Sequence, residues 1–289
     1  MMSKILPLVL VLILSFAFVG CGGEEGTLTP EQIDRLVANV TGATEDTETY
    51  QFDMGMVMTM DVTGGTQPGK ITMDATGDGA ISIVDQKMKM TLMTTMDIPG
   101  MGEQAMEQES YFVEGWMYIK SSMAGMDLGW MKMEMPEGMW ETQDQLDQQI
   151  EFLTKGNLSM VKFLGSDEVA GVDCYVLEVT PDMVDLANYL AQQQGIGNLT
   201  SADLTMLVIA IKQFSIKEWL AKDSYLCMKS SNHILMELTP ELLDLAQGDF
   251  DEMAVDMDIE MTFRDYNEPV SIILPPEALE AEEIPAEYY

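Results

Sequence analysis

The chain has 289 residues, with 14 Lys and Arg against 49 Asp and Glu, a formal charge of −35 at pH 7. So acidic a chain lacks the basic footprint that phosphate backbones require, which excludes generic nucleic-acid binding, and it disfavours flat adhesion to an anionic membrane. Hydrophobic residues make up 47% of it, and no block of five or six like charges gathers the acid into a tail, so the acid belongs to a folded surface.

Residues 1–20 predict a cleaved secretion signal. Lys4 supplies a charged start, and Ile5 to Val19 form an apolar run of 15 residues, short of the ~20 that a membrane-crossing helix needs. Gly20 then places a small residue before Cys21. Val19-Gly20-Cys21 resembles the lipobox of prokaryotic lipoproteins, with Phe18 where Leu is usual. The resemblance implies that Cys21 is the lipid-attachment residue and that the protein is exported and anchored on the outer face of a prokaryotic membrane. An uncleaved N-terminal anchor is the alternative. Loss of Lys4 with the signal takes the formal charge to −36. Residues 21–27 are expected to form a tether, and 28–289 a single domain.

The first helix is expected from Leu28, because Thr29-Pro30-Glu31-Gln32 supplies an N-cap threonine, proline at the first helical position and glutamine at the capping-box position. Ile33, Leu36, Val37 and Val40 follow at helical spacing. The same opening recurs at Thr180-Pro181-Asp182 and Thr239-Pro240-Glu241, which predicts two more helix starts. Further helices are expected at about Thr142–Leu153 and Ala202–Lys212, the latter apolar nearly all round and therefore buried.

Between these lie ten or eleven expected strands with period-two alternation. Phe52, Met54, Met56, Met58 and Met60 oppose Asp53, Gly55, Val57, Thr59 and Asp61. Met88, Met90 and Leu92 oppose Lys87, Lys89 and Thr91; Met131, Met133 and Met135 oppose Lys132 and Glu134; Val255 to Phe263 alternate with Asp256 to Arg264. Other strands are expected around Met73, around Ile81, and over Tyr111–Lys120, Lys162–Gly165, Val172–Val179, Gln213–Leu220, Tyr225–Glu237 and Val270–Leu274. Turn signals stand at Gly64-Gly65, Asp78-Gly79, Ala170-Gly171 and Asn267-Glu268-Pro269, and Pro99 to Gln108 reads as a mobile loop. Apolar-in, polar-out alternation belongs to antiparallel sheets with one solvated face. Strands with a few helices make the class α+β.

Methionine is the unusual component. Of 28 in the chain, 18 fall between Met54 and Met139. A core built for one packing mixes Leu, Ile, Val and Phe, whereas Met is unbranched, polarizable and able to repack around variable shapes. The leading reading is a cavity for a hydrophobic ligand such as a lipid chain. Its expected lining is Met54, Met56, Met58, Met88, Met90, Met131, Met133, Met257 and Met261, with Trp116 and Trp130 near a mouth. A filled, merely Met-rich core is the alternative. A Cu(I) site is the third reading, since thioethers suit that ion; same-face residues about 6.6 Å apart line a surface more naturally than they surround one ion. The single histidine, His233, lies in a strand pattern where a hydrogen-bonded structural imidazole is expected.

With Cys21 assigned, Cys174 and Cys227 remain. In an oxidising compartment two cysteines predict one disulfide, with two buried thiols as the alternative. Catalytic signatures are missing: one histidine leaves almost no material for a Ser-His-Asp arrangement, and there is no Gly-x-Ser-x-Gly, His-Glu-x-x-His, Cys-x-x-Cys or Gly-x-x-x-x-Gly-Lys. Asp256 and Asp258 fall on a solvated strand face, and neither Asp74–Gly79 nor Asp249–Asp258 has EF-hand spacing. The expectation is a protein without catalysis, cofactor or resident metal. Asn39, Asn157 and Asn198 open sequons that matter only in an organism that glycosylates them.

The lipobox-like start, the N-terminal helix, the long strand series interrupted by helices and the closing Phe263-Arg264-Asp265-Tyr266-Asn267-Glu268-Pro269-Val270-Ser271-Ile272 with Pro275 together resemble cell-envelope lipoproteins of the LolA and LppX/LprG type. Trp219 through Lys229 resembles the hairpin after the buried helix in that family. The likeness spans roughly Leu28 to Pro276. It implies a curved antiparallel sheet forming an incomplete β-barrel closed by helices, around a cavity for an acyl chain or a lipidated partner.

Overall fold

A computed structural model describes residues 26–27, 29–65, 68–135, 159–181, 208–240 and 250–284. The signal segment, Cys21 and the tether up to residue 25 lie outside these residues. So do the helices expected at 142–153, after Pro181 and after Pro240, and the 202–212 helix before residue 208.

Helix α1, Pro30–Glu45, is closed by the capping box that the sequence predicts. The Thr29 N–H donates to Gln32 Oε1 at 2.8 Å, and the Gln32 N–H donates to Thr29 Oγ1 at 3.3 Å, so two orphan donors of the first turn are satisfied reciprocally. Leu36 and Val40, one turn apart, are fully buried, while Glu31, Arg35, Ala38 and Asn39 are exposed.

The described residues form thirteen strands: β1 Gly26–Thr27, β2 Thr49–Thr63, β3 Gly69–Ser82, β4 Lys87–Ile98, β5 Gly102–Val113, β6 Trp116–Met123, β7 Met126–Glu134, β8 Ser159–Val169, β9 Val172–Pro181, β10 Ile211–Ala221, β11 Cys227–Leu238, β12 Glu252–Arg264 and β13 Glu282–Glu283. They hydrogen-bond in the order β1-β8-β9-β10-β11-β12-β2-β3-β4-β5-β6-β7-β13. The hairpin neighbours are antiparallel and β13 runs parallel to β7. The antiparallel sheet expected of the α+β class is present; the closing helices fall largely outside the described residues.

Several boundaries differ from expectation. Gly26 and Thr27, read as tether, pair with Phe163 and Lys162 on β8. The helix ending in the 202–212 stretch stops at Ala210, and Ile211 already opens β10. Gly102 to Gln108, expected as loop, is the first half of β5, paired residue by residue with β4. Val270–Leu274 forms no strand. Tyr111–Lys120 is broken by a two-residue turn at Glu114-Gly115, where both φ angles are positive (55° and 80°), as a type I′ hairpin requires.

The chain packs as two compact units. Unit 1 takes the chain up to Glu45, Thr59–Gly69 and Gln143–Glu260; unit 2 takes Asp46–Met58, Lys70–Thr142 and Met261–Tyr289. In unit 1 the even residues of β10 from Phe214 to Leu220 and of β11 from Ser230 to Leu238 are buried, as are Met253, Val255, Met257 and Ile259 on β12. The alternate residues carry ion pairs such as Lys229–Glu260 at 2.6 Å and Lys217–Glu178 at 4.0 Å. In unit 2 the turn after β12 is tied to the start of β2. Asn267 Oδ1 accepts from the Glu48 N–H at 2.7 Å and its N–H donates to the Thr49 carbonyl at 2.8 Å. Arg264 donates to both carboxylate oxygens of Asp53 at 3.0 and 3.3 Å, and Tyr50 stacks against Phe263 and Tyr266. This is the structural work of the Phe263–Asn267 segment.

The expected Cys174–Cys227 disulfide is not made: both are buried, reduced thiols. Cys174 stands opposite Ala221 and Cys227 opposite Leu220. Ala221 and Leu220 are consecutive on β10 and point to opposite faces, so the two thiols do as well, with a whole strand between them. Strands two apart are separated by roughly 9–10 Å, beyond the ~7 Å between Cα atoms that a disulfide tolerates. Each Sγ–H instead donates to a carbonyl, of Val172 at 3.3 Å and of Lys229 at 3.4 Å.

Candidate functional site

Directly opposed residues of an antiparallel pair share a face, so register shows which methionines meet. Met88 on β4 stands opposite Ile81 on β3 and Phe112 on β5; Phe112 stands opposite Met117 on β6, and Met117 opposite Met133 on β7. The neighbouring row runs Gly79, Met90, Ser110, Ile119 and Met131 across the same five strands. Further along, Met73 opposes Met96 and Thr94 opposes Met106. On β2, Phe52 lies against Gly79, so Phe52 and its alternates Met54, Met56 and Met58 belong to this face too.

The face is graded in burial. Met54, Met56 and Met73 are each 8% exposed, and Phe112 is 3% exposed. Met58, Met88, Met90, Met96, Met106, Met117, Met131 and Met133 are only half-buried. Two buried hydroxyls interrupt the apolar surface, on Thr94 and Ser110; Ser110 Oγ accepts from Gln108 Nε2 at 3.0 Å. Unit 2 therefore presents a band of flexible thioethers around a more tightly packed strip on β2 and β3.

Of the predicted lining, the register brings together Met54, Met56, Met58, Met88, Met90, Met131 and Met133. Met257 does not join them: it is fully buried in the core of unit 1, where an accessible lining residue has no place. Met261 is half-buried on β12. Trp116 and Trp130 are on the wrong face. They oppose Glu134 and Lys120, one residue out of phase with Met117 and Met131, so alternation turns them to the polar side. There Lys132 lies 4.8 Å from the centroid of the Trp116 ring and Trp130 packs at 5.9 Å on Tyr111. Tyr111 donates to Glu109 Oε1 at 2.7 Å; burial first, and then Glu109, push its phenol up, so it stays protonated.

Met73, Met96, Met106 and Met117 belong to the face although the sequence reading did not include them. Met106 fell in the stretch read as loop. Met117 lay in a stretch read as one strand, and the turn at Glu114-Gly115 resets the phase that would have identified it. Cross-strand pairing of methionine with methionine, as at Met73–Met96, was the available signal.

The imidazole of His233 is hydrogen-bonded as expected, with Nδ1 3.0 Å from Asp258 Oδ1 and 3.6 Å from Asp256 Oδ1. These three side chains, half-buried or exposed, are the one group of potential metal ligands among the described residues. A depression of about 360 Å³ in unit 1, lined by residues of β9 and β10 including Glu178, Lys212 and Phe214, contains none of the predicted methionines. No described helix is long and apolar enough to cross a membrane.

Residues 32–283 match the model of a family of unknown function, DUF6612, and the chain belongs to that family. No curated protein matches it. Among solved structures it is similar to lipoprotein LppX from Mycobacterium tuberculosis, at 10% identity over 82% of this chain and 96% of that one with a TM-score of 0.38. It is similar also to LprF from Mycobacterium bovis, at 12% identity over 86% and 99% with a TM-score of 0.41. A third similar structure is a β-barrel-like protein of the DUF1849 domain from Brucella abortus, at 9% identity over 77% and 100% with a TM-score of 0.32.

Proposed function

We propose that this DUF6612 member is an exported, lipid-anchored protein of the cell envelope that holds or passes on a hydrophobic ligand, a lipid or acyl chain, against the methionine face of unit 2, without catalysis. One observation carries the reading: two rows of mainly apolar side chains cross β3 to β7 in register, and their methionines are left half-exposed. Covering apolar surface is favourable by roughly 25 cal/mol per Å², and a contiguous apolar patch on a soluble body marks a place where something binds. Methionine suits a ligand of variable shape because its side chain repacks at little cost. The address rests on Lys4 to Cys21, whose acylation would hold the body near the bilayer while the acidic surface keeps it from lying flat on anionic headgroups.

Native mass spectrometry of the gently extracted protein is expected to reveal co-purifying lipid, and the delipidated chain to take up N-phenyl-1-naphthylamine with a rise in fluorescence. Met90→Glu and Met131→Glu place a charge in the second row and are expected to weaken uptake at least tenfold, while Met257→Leu leaves it unchanged. The absence of both co-purifying lipid and dye uptake would sink the carrier reading and leave a surface interaction domain. Cys21→Ser tests the anchor separately, since a variant that still fractionates with membranes is not held by lipidation.

A further inference from the structure

The buried face of unit 1 contains a polar group of residues that the methionine face does not involve. Glu218 on β10 is 2% exposed, although surrounded along its strand by Ile216 and Leu220. Ser230 stands directly opposite it on β11, and Asn232, two residues further on, stands opposite Ile216. All three side chains therefore point to one face, Ser230 directly across from Glu218 and Asn232 on its diagonal, about 7–8 Å away. Ser230 and Asn232 are 1% and 4% exposed, and Ser230 Oγ and Asn232 Oδ1 have no hydrogen-bond partner among the described residues. The Cys227 thiol adjoins the same group; burial, and then the Glu218 carboxyl, push it well above the ordinary thiol range.

Buried polar atoms are almost always paired, and leaving one unpaired is destabilising, so two together in an apolar surround call for an explanation. Alanine or an aliphatic side chain at either position would remove the penalty without disturbing β11, whose remaining inward residues Ile234, Met236 and Leu238 are apolar. Asn232 Oδ1 can only accept, so its missing partner supplies a hydrogen, while the Ser230 hydroxyl can donate or accept and is met by a head group that does either. A carboxylate or phosphate is disfavoured here, since it offers only acceptors to Asn232 Oδ1 and would bury its charge in an apolar surround.

We propose that Glu218, Ser230 and Asn232 form a donor-selective site in unit 1 for the hydroxyl or ammonium head of an amphipathic molecule. The site goes beyond the methionine-face reading, being in the other unit and using none of the same residues. Asn232 Oδ1 and Ser230 Oγ receive the head's O–H or N–H groups beside the Glu218 carboxyl, and Phe214, Ile216 and Ile234 pack beside the first carbons of the tail.

The test uses the full chain, delipidated, and four probes of one tail length: monoolein, oleylamine, oleate and methyl oleate. In pairwise competition read by native mass spectrometry, monoolein and oleylamine are expected to exceed methyl oleate about tenfold, with oleate weakest. The ratio of monoolein to oleylamine tells whether hydroxyl or ammonium is preferred. Ser230→Ala and Asn232→Leu are expected to bring the preference within twofold of unity and, by removing an unpaired atom, to raise the unliganded Tm by about 2–4 °C. Met90→Glu is expected to leave the preference intact. Equal uptake of monoolein and methyl oleate by the unaltered chain overturns the proposal while leaving the methionine face standing, because both probes carry the tail. A preference that survives in both β11 variants, or a Tm that does not move because a buried water already satisfies the two atoms, overturns it as well.

Discussion

Gly79 shows how one absent atom sets the geometry of the candidate site. A Cβ there would collide with the Phe52 ring and stand 2.8 Å from the Lys89 carbonyl oxygen, so glycine lets the ring lie against β3. Asp78-Gly79 has the composition of a turn, yet it sits in mid-strand; only the partner ring explains it, and nothing local in the sequence reveals that ring. Gly79→Ala is expected to cost about 1–3 kcal/mol of stability by overpacking, measured by urea unfolding, and Phe52→Leu in the same chain should return part of the loss. Asp167 makes a second case. The Trp219 indole N–H, 3.0 Å away, and then the Glu168 amide hold its carboxyl below the ordinary aspartate range. Because the folded value is depressed, the bond's contribution is present above the ordinary value near 3.9 and is lost as pH falls through the lower, folded value. The indole Nε1–H resonance of Trp219 is expected to titrate with a midpoint below 3.9 and to stop titrating in Asp167→Asn. A midpoint at or above 3.9 would contradict the bond.

At the scale of elements, what was legible depended on whether the signal was local. The start of α1 was readable because a capping box is written in four consecutive residues, and the alternation of β2, β4, β7 and β12 because period two needs no partner. Hairpin turns were legible only where the dipeptide was familiar. Ala170-Gly171 was recognised, but Glu114-Gly115 and Ala124-Gly125 adopt the same pair of positive φ angles without the Asn or Asp that usually announces them. Missing the first joined β5 to β6, hid Met117, and left Trp116 on the wrong face, since a two-residue turn changes which parity points inward. The disulfide failed for a related reason: pairing two cysteines by elimination ignores the strand that lies between them. The unfamiliar turns also predict where stability can be gained. Glu114→Asn puts the preferred residue at a position whose φ is already 55°, and is expected to stabilise the chain by about 0.5–1 kcal/mol, read as a higher urea midpoint with an unchanged slope. Thr29→Ala removes one half of the capping box at α1 and is expected to cost about 0.5–2 kcal/mol in the same experiment.

On the scale of the whole molecule, methionine is spread over three environments that its own chemistry can distinguish. Met93, Met101 and Met126 are among the most exposed large apolar residues, Met88, Met90, Met131 and Met133 are half-buried on the candidate face, and Met236, Met253 and Met257 are at most 1% exposed in unit 1. Peroxide converts an accessible thioether to its sulfoxide, so the folded protein is expected to oxidise in that order, followed peptide by peptide with mass spectrometry. Met93 provides an internal control, because it lies on β4 with Met88 and Met90 but opposes Thr76 and Glu107 on the polar face. A neutral hydrophobic ligand such as methyl oleate, at saturation, should slow oxidation of Met88, Met90, Met131 and Met133 severalfold while Met93 reacts as before. Slowing of Met93 to the same degree would mean that the additive consumed peroxide or tightened the whole fold. An unchanged rate at all five, with ligand demonstrably bound, would place the hydrophobic site somewhere other than the face that the register assembles, and would turn the methionine band back into the lining of a body that merely packs.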